Sequence, residues 1–160
     1  MRTLFGWINF AWIKRGLLLF WAFWYSVVVT TNVLNALQAL GILPASFKFV
    51  SGNWQLINQT MDPLGVPIVL QAFLFTGVIV WEMLCAALFF VAYARFRNRT
   101  LVEEKESLWA CAVALALWCA FQVLDEVFLA YDLESMHRVI FIGTIFTIVF
   151  LQLMPRENAA

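Results

Sequence analysis

Four long apolar runs, separated by short polar breaks, dominate the chain. They cover residues 16–37 (beginning GLLLFWAFWYSVVV), 67–94, 108–130 and 137–154, the last being shorter and closed by Pro155. A helix of about 20 apolar residues crosses the roughly 30 Å hydrocarbon core of a bilayer. Each run therefore predicts one membrane-spanning helix, and the predicted fold class is all-α: a four-helix transmembrane bundle forming a single membrane domain over residues 1–160. No internal repeat or low-complexity tract interrupts this plan. No small-residue cleavage site follows the first run, so it is expected to be an anchor and not a removed signal peptide.

The basic residues orient the spans. Arg2, Lys14, Arg15, Arg95, Arg97, Arg99, Lys105 and Arg156 fall on one side, and only Lys48 and Arg138 on the other. Positive charge gathers on the cytoplasmic face, so both termini are expected there, in agreement with an even number of spans. The N-terminal TLFGWINFAWIKR is too short and broken for a further span. Its Phe5, Trp7, Phe10 and Trp12 suit the headgroup region and predict a short interfacial helix running into the first span. A plain extension of that span is the alternative. The first outer loop, about 38–66, is long for so small a protein, and loops of that length usually carry structure or function. Phe47, Phe49, Val50, Trp54, Leu56 and Ile57, set among polar residues, predict a short helix there, lying on the membrane surface, capping the bundle or meeting a partner.

Composition agrees. Of 160 residues, 64% are hydrophobic and 12% charged, against about half and a quarter in ordinary soluble domains; the mean hydropathy is +0.86. Ten basic and ten acidic residues leave no excess of positive charge for a nucleic-acid surface. Cys85, Cys111 and Cys119 lie inside apolar runs without CxxC spacing and read as small buried thiols. Asn58-Gln59-Thr60 and Asn98-Arg99-Thr100 both fit the glycosylation pattern, on opposite sides of the membrane, and neither is taken as modified.

Against this background the stretch VIVWEMLCAALFF is unusual, because it places Glu82 near the middle of the second span. Twelve residues separate it from Ala94, or about 18 Å of helix. An ion at that depth costs about 2.5–3.5 kcal/mol on insertion scales, so a neutral acid that shares a hydrogen bond is the cheaper state. Gln122 on the third span should be nearly level with Glu82. With Glu126, one turn further on, it shares a stripe with Leu108, Ala112, Leu115 and Cys119, whose small members make this the expected inner seam. Asp125 is turned about 100° away from Glu126. Asn32 and Asn35 mark the outer end of the first span; Asp132, Glu134, His137 and Arg138 lie just beyond the third. Together Glu82, Gln122, Asp125, Glu126, Asn32 and Asn35 predict an intramembrane polar cluster open outward, with Arg138 as counter-charge.

Such a cluster has two readings. Amide and carboxyl groups glue transmembrane helices together at about 0.6 kcal/mol per bond. Intramembrane ionisable groups also mark proton and cation pathways, although four spans without an inverted repeat or broken helix pair offer little for alternating access. His137, the one histidine, excludes a bis-histidine haem within one chain and is a weak candidate ligand for a single haem iron or pigment magnesium. No GxSxG, HExxH or P-loop pattern occurs, so no enzyme activity is expected.

Three stretches carry a resemblance. The first span ends in asparagines and is followed by FKFV and a later TMD; the second contains VIVWEMLCAALFFVAYARF; the third ends in DEVFLAY. In these the chain resembles the bacterial family of predicted small integral membrane proteins of unknown function. It departs from that family at the loop histidine usual near FV, where Ser51-Gly52 stand instead. The resemblance implies no particular activity. The leading expectation is a non-catalytic accessory or assembly subunit of a larger, energy-converting complex in a bacterial inner membrane, in contact with lipids and other membrane subunits. A small proton- or cation-coupled transporter or channel using Glu82, Asp125 and Glu126 is the alternative, together with a quinone- or pigment-binding membrane protein; bound lipid is expected in any case.

Overall fold

The computed structural model describes residues 10–154, and within them the fold is a four-helix bundle with one additional short helix. The helices are α1 (Phe10–Ala39), α2 (Asn53–Met61), α3 (Ile68–Arg95), α4 (Lys105–Val127) and α5 (Tyr131–Leu153). A single 3-10 turn, Asp62–Leu64, joins α2 to α3. The four long helices are each apolar and long enough to span a bilayer, and the protein is a multi-pass membrane protein. Phe10 to Arg15 continue directly into the first span as one helix. The rest of the expected interfacial segment, with Phe5 and Trp7, lies outside the described residues.

α1 packs along α3, α3 along α4 and α4 along α5, while α1 and α5 meet only sparsely. Each helix buries one narrow stripe. On α3 it is Gln71, Phe75, Ile79, Glu82, Cys85, Phe89 and Ala92, spaced by three or four residues. That spacing keeps one face turned to a neighbour along the whole length of a helix. Facing it, α1 buries Leu18, Trp21, Tyr25, Asn32 and Asn35. Tyr25 and Phe89 stack at 5.9 Å between ring centroids, as do Trp21 and Phe89 at 6.2 Å. Two bonds close the ring between α1 and α5: Trp21 Nε1 donates to Thr147 Oγ1 (2.9 Å), and Lys14 Nζ to the carbonyl of Met154 (2.8 Å). The second places a cation on the free carbonyls ending α5, where the helix dipole favours positive charge.

The expected inner seam of α4 is corrected. Leu108, Ala112, Cys119 and Glu126 are exposed, and Leu115 and Gln122 only partly covered. The buried stripe is Ser107, Ala110, Cys111, Ala114, Leu117, Trp118 and Asp125. Small residues do mark the close helix contact, but the set containing Ala110, Cys111 and Ala114 makes it. Cys119 accordingly faces outward, unlike Cys85 and Cys111, which are buried as expected.

The fourth span is longer than 137–154. It begins at Tyr131, so Asp132, Glu134, His137 and Arg138 belong to α5 itself. A tight turn makes this possible. Leu129 adopts the left-handed conformation (φ 53°), its N–H reaches Glu126 O (3.4 Å), and the Ala130 N–H reaches Asp125 O (2.7 Å). That is the Schellman pattern of a helix C-terminus, which usually carries glycine at the left-handed position. α1 ends the same way with a glycine there: Gly41 (φ 72°) bonds Gln38 O, and Ile42 bonds Leu37 O.

Candidate functional site: a cavity under the loop helix

α2 is held across the ends of α1 and α3 by side chains. It has no side-chain cap of its own, and Gly52 precedes it in the left-handed region. The first N–H groups of any helix lack partners within it. Here Asn35 of α1 supplies one, its Oδ1 accepting from the Trp54 N–H (2.7 Å) while its Nδ2 donates to Gln55 Oε1 (2.9 Å). On the far side Asn58 Nδ2 donates to Gln71 Oε1 (2.6 Å), and Gln71 Nε2 donates to Asp62 Oδ1 (2.8 Å) and Val66 O (2.9 Å). The expected loop helix thus exists as a cap. The side-chain nitrogen of Asn58, the atom a glycan would need, is engaged in that cap.

Beneath α2 the same kind of contact reaches the bundle centre. Asn53 Nδ2 donates to Asn32 Oδ1 (2.8 Å), and Asn32 Nδ2 donates to Glu82 Oε2 (2.7 Å). Asn32 is fully buried and Glu82 is 4% exposed. Three elements are therefore joined by a chain from α2 through α1 to α3. A buried carboxyl without a hydrogen bond would be costly, and Asn32 supplies that bond.

A second polar unit forms where α4 meets α5. Asp125, 3% exposed, lies against His137, whose Nδ1 is 2.8 Å from Oδ2 and 3.0 Å from Oδ1. His137 stacks on Phe121 at 4.5 Å and leans on Trp118 at 5.9 Å. With Nδ1–H donating to the carboxylate, the imidazole in its neutral form presents Nε2 as an acceptor. His137, the candidate metal ligand, is thus tied to a carboxylate, and among the described residues no group of three or more potential ligand side chains gathers.

Both polar units border one cavity of about 250 Å³. Its walls come from Trp24 and Val28 of α1, Leu56, Ile57, Thr60 and Met61 of α2, Leu74, Phe75 and Val78 of α3, Trp118, Phe121 and Leu124 of α4, and Leu133, Met136 and Ile140 of α5. Trp118 Nε1 donates to Tyr25 Oη (2.8 Å), which satisfies the indole N–H beside the cavity. The expected polar cluster is therefore corrected to an apolar, aromatic chamber whose polar groups are Glu82 with Asn53, linked through Asn32, the Asp125–His137 pair, and Thr60. Fixed polar groups in an apolar hollow are the usual make-up of a small-molecule site.

The remaining expected members lie elsewhere. Glu126 is exposed on the far face of α4. Gln122 forms no bond with Glu82, and its Nε2 is buried without a hydrogen-bond partner among the described residues. Arg138 pairs with Glu134 one turn before it on α5, on the exposed surface, and is not the counter-charge of the buried acids. Asn35 belongs to the cap of α2 and does not border the cavity. The contributions of Thr60, Met61 and the aromatic walls were absent from the sequence-based cluster. Their one legible signal was the crowding of Trp and Phe at the ends of the spans.

No family model, no curated protein and no solved structure matches this chain. The resemblance drawn from its three stretches stands on those residues alone. Of them, Thr60 and Met61 of TMD, Val78 and Glu82 of the second stretch, and Asp125, Phe128 and Ala130 of DEVFLAY border the cavity, and Asp62 holds Gln71.

Proposed function

We propose that this chain is a non-catalytic multi-pass protein of a bacterial inner membrane that holds a small lipid-soluble ligand in the cavity beneath α2. The observation that carries the reading is the cavity itself: an aromatic-walled chamber bordered by two polar units from different helices. Its volume of about 250 Å³ exceeds the roughly 150 Å³ that suffices for benzene in an engineered protein cavity. The eight-to-two division of basic residues supports an orientation with the α2 end, and so the cavity, on the outer side of that membrane and both termini in the cytoplasm.

The test is purification in a gentle detergent followed by native mass spectrometry. A small molecule bound one to one, and lost in a Val28→Trp variant that fills the chamber, supports the reading. Protein that carries no small molecule and binds none from a lipid extract overturns it.

A role as an accessory or assembly subunit of a larger, energy-converting complex is the second reading, and α5 favours it. Only 17% of the apolar window of α5 is buried, against 28–33% in the other spans, leaving Met136, Val139, Ile142 and Phe146 exposed on one helix. Stoichiometric co-purification of other membrane subunits is its signature. The proton-path alternative has less support, because Glu82 and Asp125 share no hydrogen-bonded chain; proton flux in liposomes that Glu82→Gln abolishes would restore it.

A further inference from the structure

A second hollow lies beside the first. It is a groove of about 200 Å³ between α3 and α4, formed by Phe73, Gly77, Trp81, Leu117 and Ala120. Among the described residues no charged side chain borders it. Leu74, Val78, Phe121 and Leu124 border both hollows and form the partition between them. Phe73, on the groove side, is 72% exposed, so the groove faces outward toward lipid while the chamber holds the polar groups. Two hollows, one apolar throughout and one apolar with a few polar groups, thus share a wall of four apolar side chains.

The chamber also limits the head group it can take. Two carboxyl groups, of Glu82 and Asp125, border it, and no lysine or arginine does. With no lysine or arginine to pair with it, an anionic head such as a carboxylate or phosphate would lie uncompensated in a low-dielectric space, which is costly. A neutral head with oxygen atoms suits the site: the Glu82 carboxyl shares its bonds with Asn32 and the head, and the His137 ring, with Nδ1 turned to Asp125, leaves Nε2 to hydrogen-bond a hydroxyl or carbonyl oxygen. Trp24, Phe75, Trp118 and Phe121 supply flat faces for a ring.

We infer that the ligand is a neutral ring bearing hydroxyl or carbonyl oxygens and one long apolar tail, of the prenylated quinone class, with its ring in the chamber and its tail leaving through the α3–α4 groove past Val78 and Leu124. The inference rests on the ligand-holding reading and names the class and the route. Such a molecule reaches the chamber sideways from the bilayer, by rotation of the four partition side chains, without crossing the cap formed by α2.

The experiment uses the full chain in lipid nanodiscs. A benzoquinone with a short prenyl tail and its tailless parent are titrated, binding being read from quenching of tryptophan emission, since Trp24 and Trp118 line the chamber. Gly77→Phe fills the groove without touching the chamber, and it is tolerable because a Cβ at Gly77 meets nothing within 4 Å. Ala120→Phe does the same from α4. Saturable binding of both compounds is expected, with each groove variant weakening the prenylated compound at least fivefold and leaving the tailless one unchanged. Val28→Trp should weaken both. If both compounds bind and neither groove variant discriminates between them, the tail route is overturned and the chamber reading survives. If a fatty acid of matched length displaces the quinone at equal concentration, the head-group class is wrong. If neither quinone binds while a different small molecule co-purifies with the protein, the class falls but the ligand-holding reading stands.

Discussion

Replacing Glu82 tests the buried chain at its innermost link. In Glu82→Leu the Asn32 amide loses the acceptor it holds at 2.7 Å, and Asn32 is fully buried. The bond itself is worth about 0.6 kcal/mol between membrane helices, with an upper value near 1.7. The orphaned donor adds roughly 1–3 kcal/mol when nothing relaxes. Leucine recovers part of this through packing in the apolar chamber, and the expected net loss is about 1–2 kcal/mol. Glu82→Gln keeps an acceptor for Asn32 and should stay within about 0.5 kcal/mol of the parent, a typical figure for changes that break no feature. The double variant Asn32→Leu/Glu82→Leu removes both partners, and such paired replacement is nearly neutral when the shapes fit. Asn53, which then loses Asn32, is only partly buried and can turn to water. The two single changes should therefore be non-additive by about 1 kcal/mol, as expected of residues in direct contact. Equilibrium unfolding in mixed micelles with increasing SDS measures all five proteins: the parent, Glu82→Leu, Glu82→Gln, Asn32→Leu and the double variant. The reasoning fails if Glu82→Leu matches the parent, if Glu82→Gln loses as much as Glu82→Leu, or if the double variant loses the full sum.

Leu129→Gly should stabilise the protein by about 1 kcal/mol, because Leu129 sits at φ 53°, where a side chain is strained, and being 59% exposed it gives up little packing; the same SDS titration would show no gain if the turn is relaxed. Trp21→Phe removes the bond to Thr147 and should cost about 0.6–1.7 kcal/mol, with Thr147→Val adding little on top, since both changes break one contact; independent losses from the two would count against a shared bond. A cysteine placed at Ala160 in a Cys119→Ser background should escape an impermeant maleimide in intact cells and react after lysis. Labelling in intact cells would reverse the proposed orientation.

The number and order of the spans were legible in the residues, because crossing lipid demands about 20 apolar residues without a backbone break, and few other folds produce four such runs in 160 residues. The loop helix was legible too, since Trp54, Leu56 and Ile57 among polar residues mark a helix with one apolar side. The mid-helix position of Glu82 in α3 followed from its place in an apolar run. The inward face of α4 did not follow. Lipid is as apolar as the bundle interior, so hydropathy does not distinguish Cys119, turned outward, from Cys111, turned inward; only the packing of α4 between α3 and α5 decides it. The start of α5 was hidden for a different reason: a leucine fills the left-handed position that glycine normally announces. The pairings of the site needed the tertiary structure as well. Asn32 meets Glu82 across 50 residues of chain, and Asp125 meets His137 rather than Arg138. Polar groups inside a membrane must find partners, which makes pairing itself predictable from the residue types alone, but which partner each one takes depends on helix rotation and crossing, and these are fixed when the four helices pack.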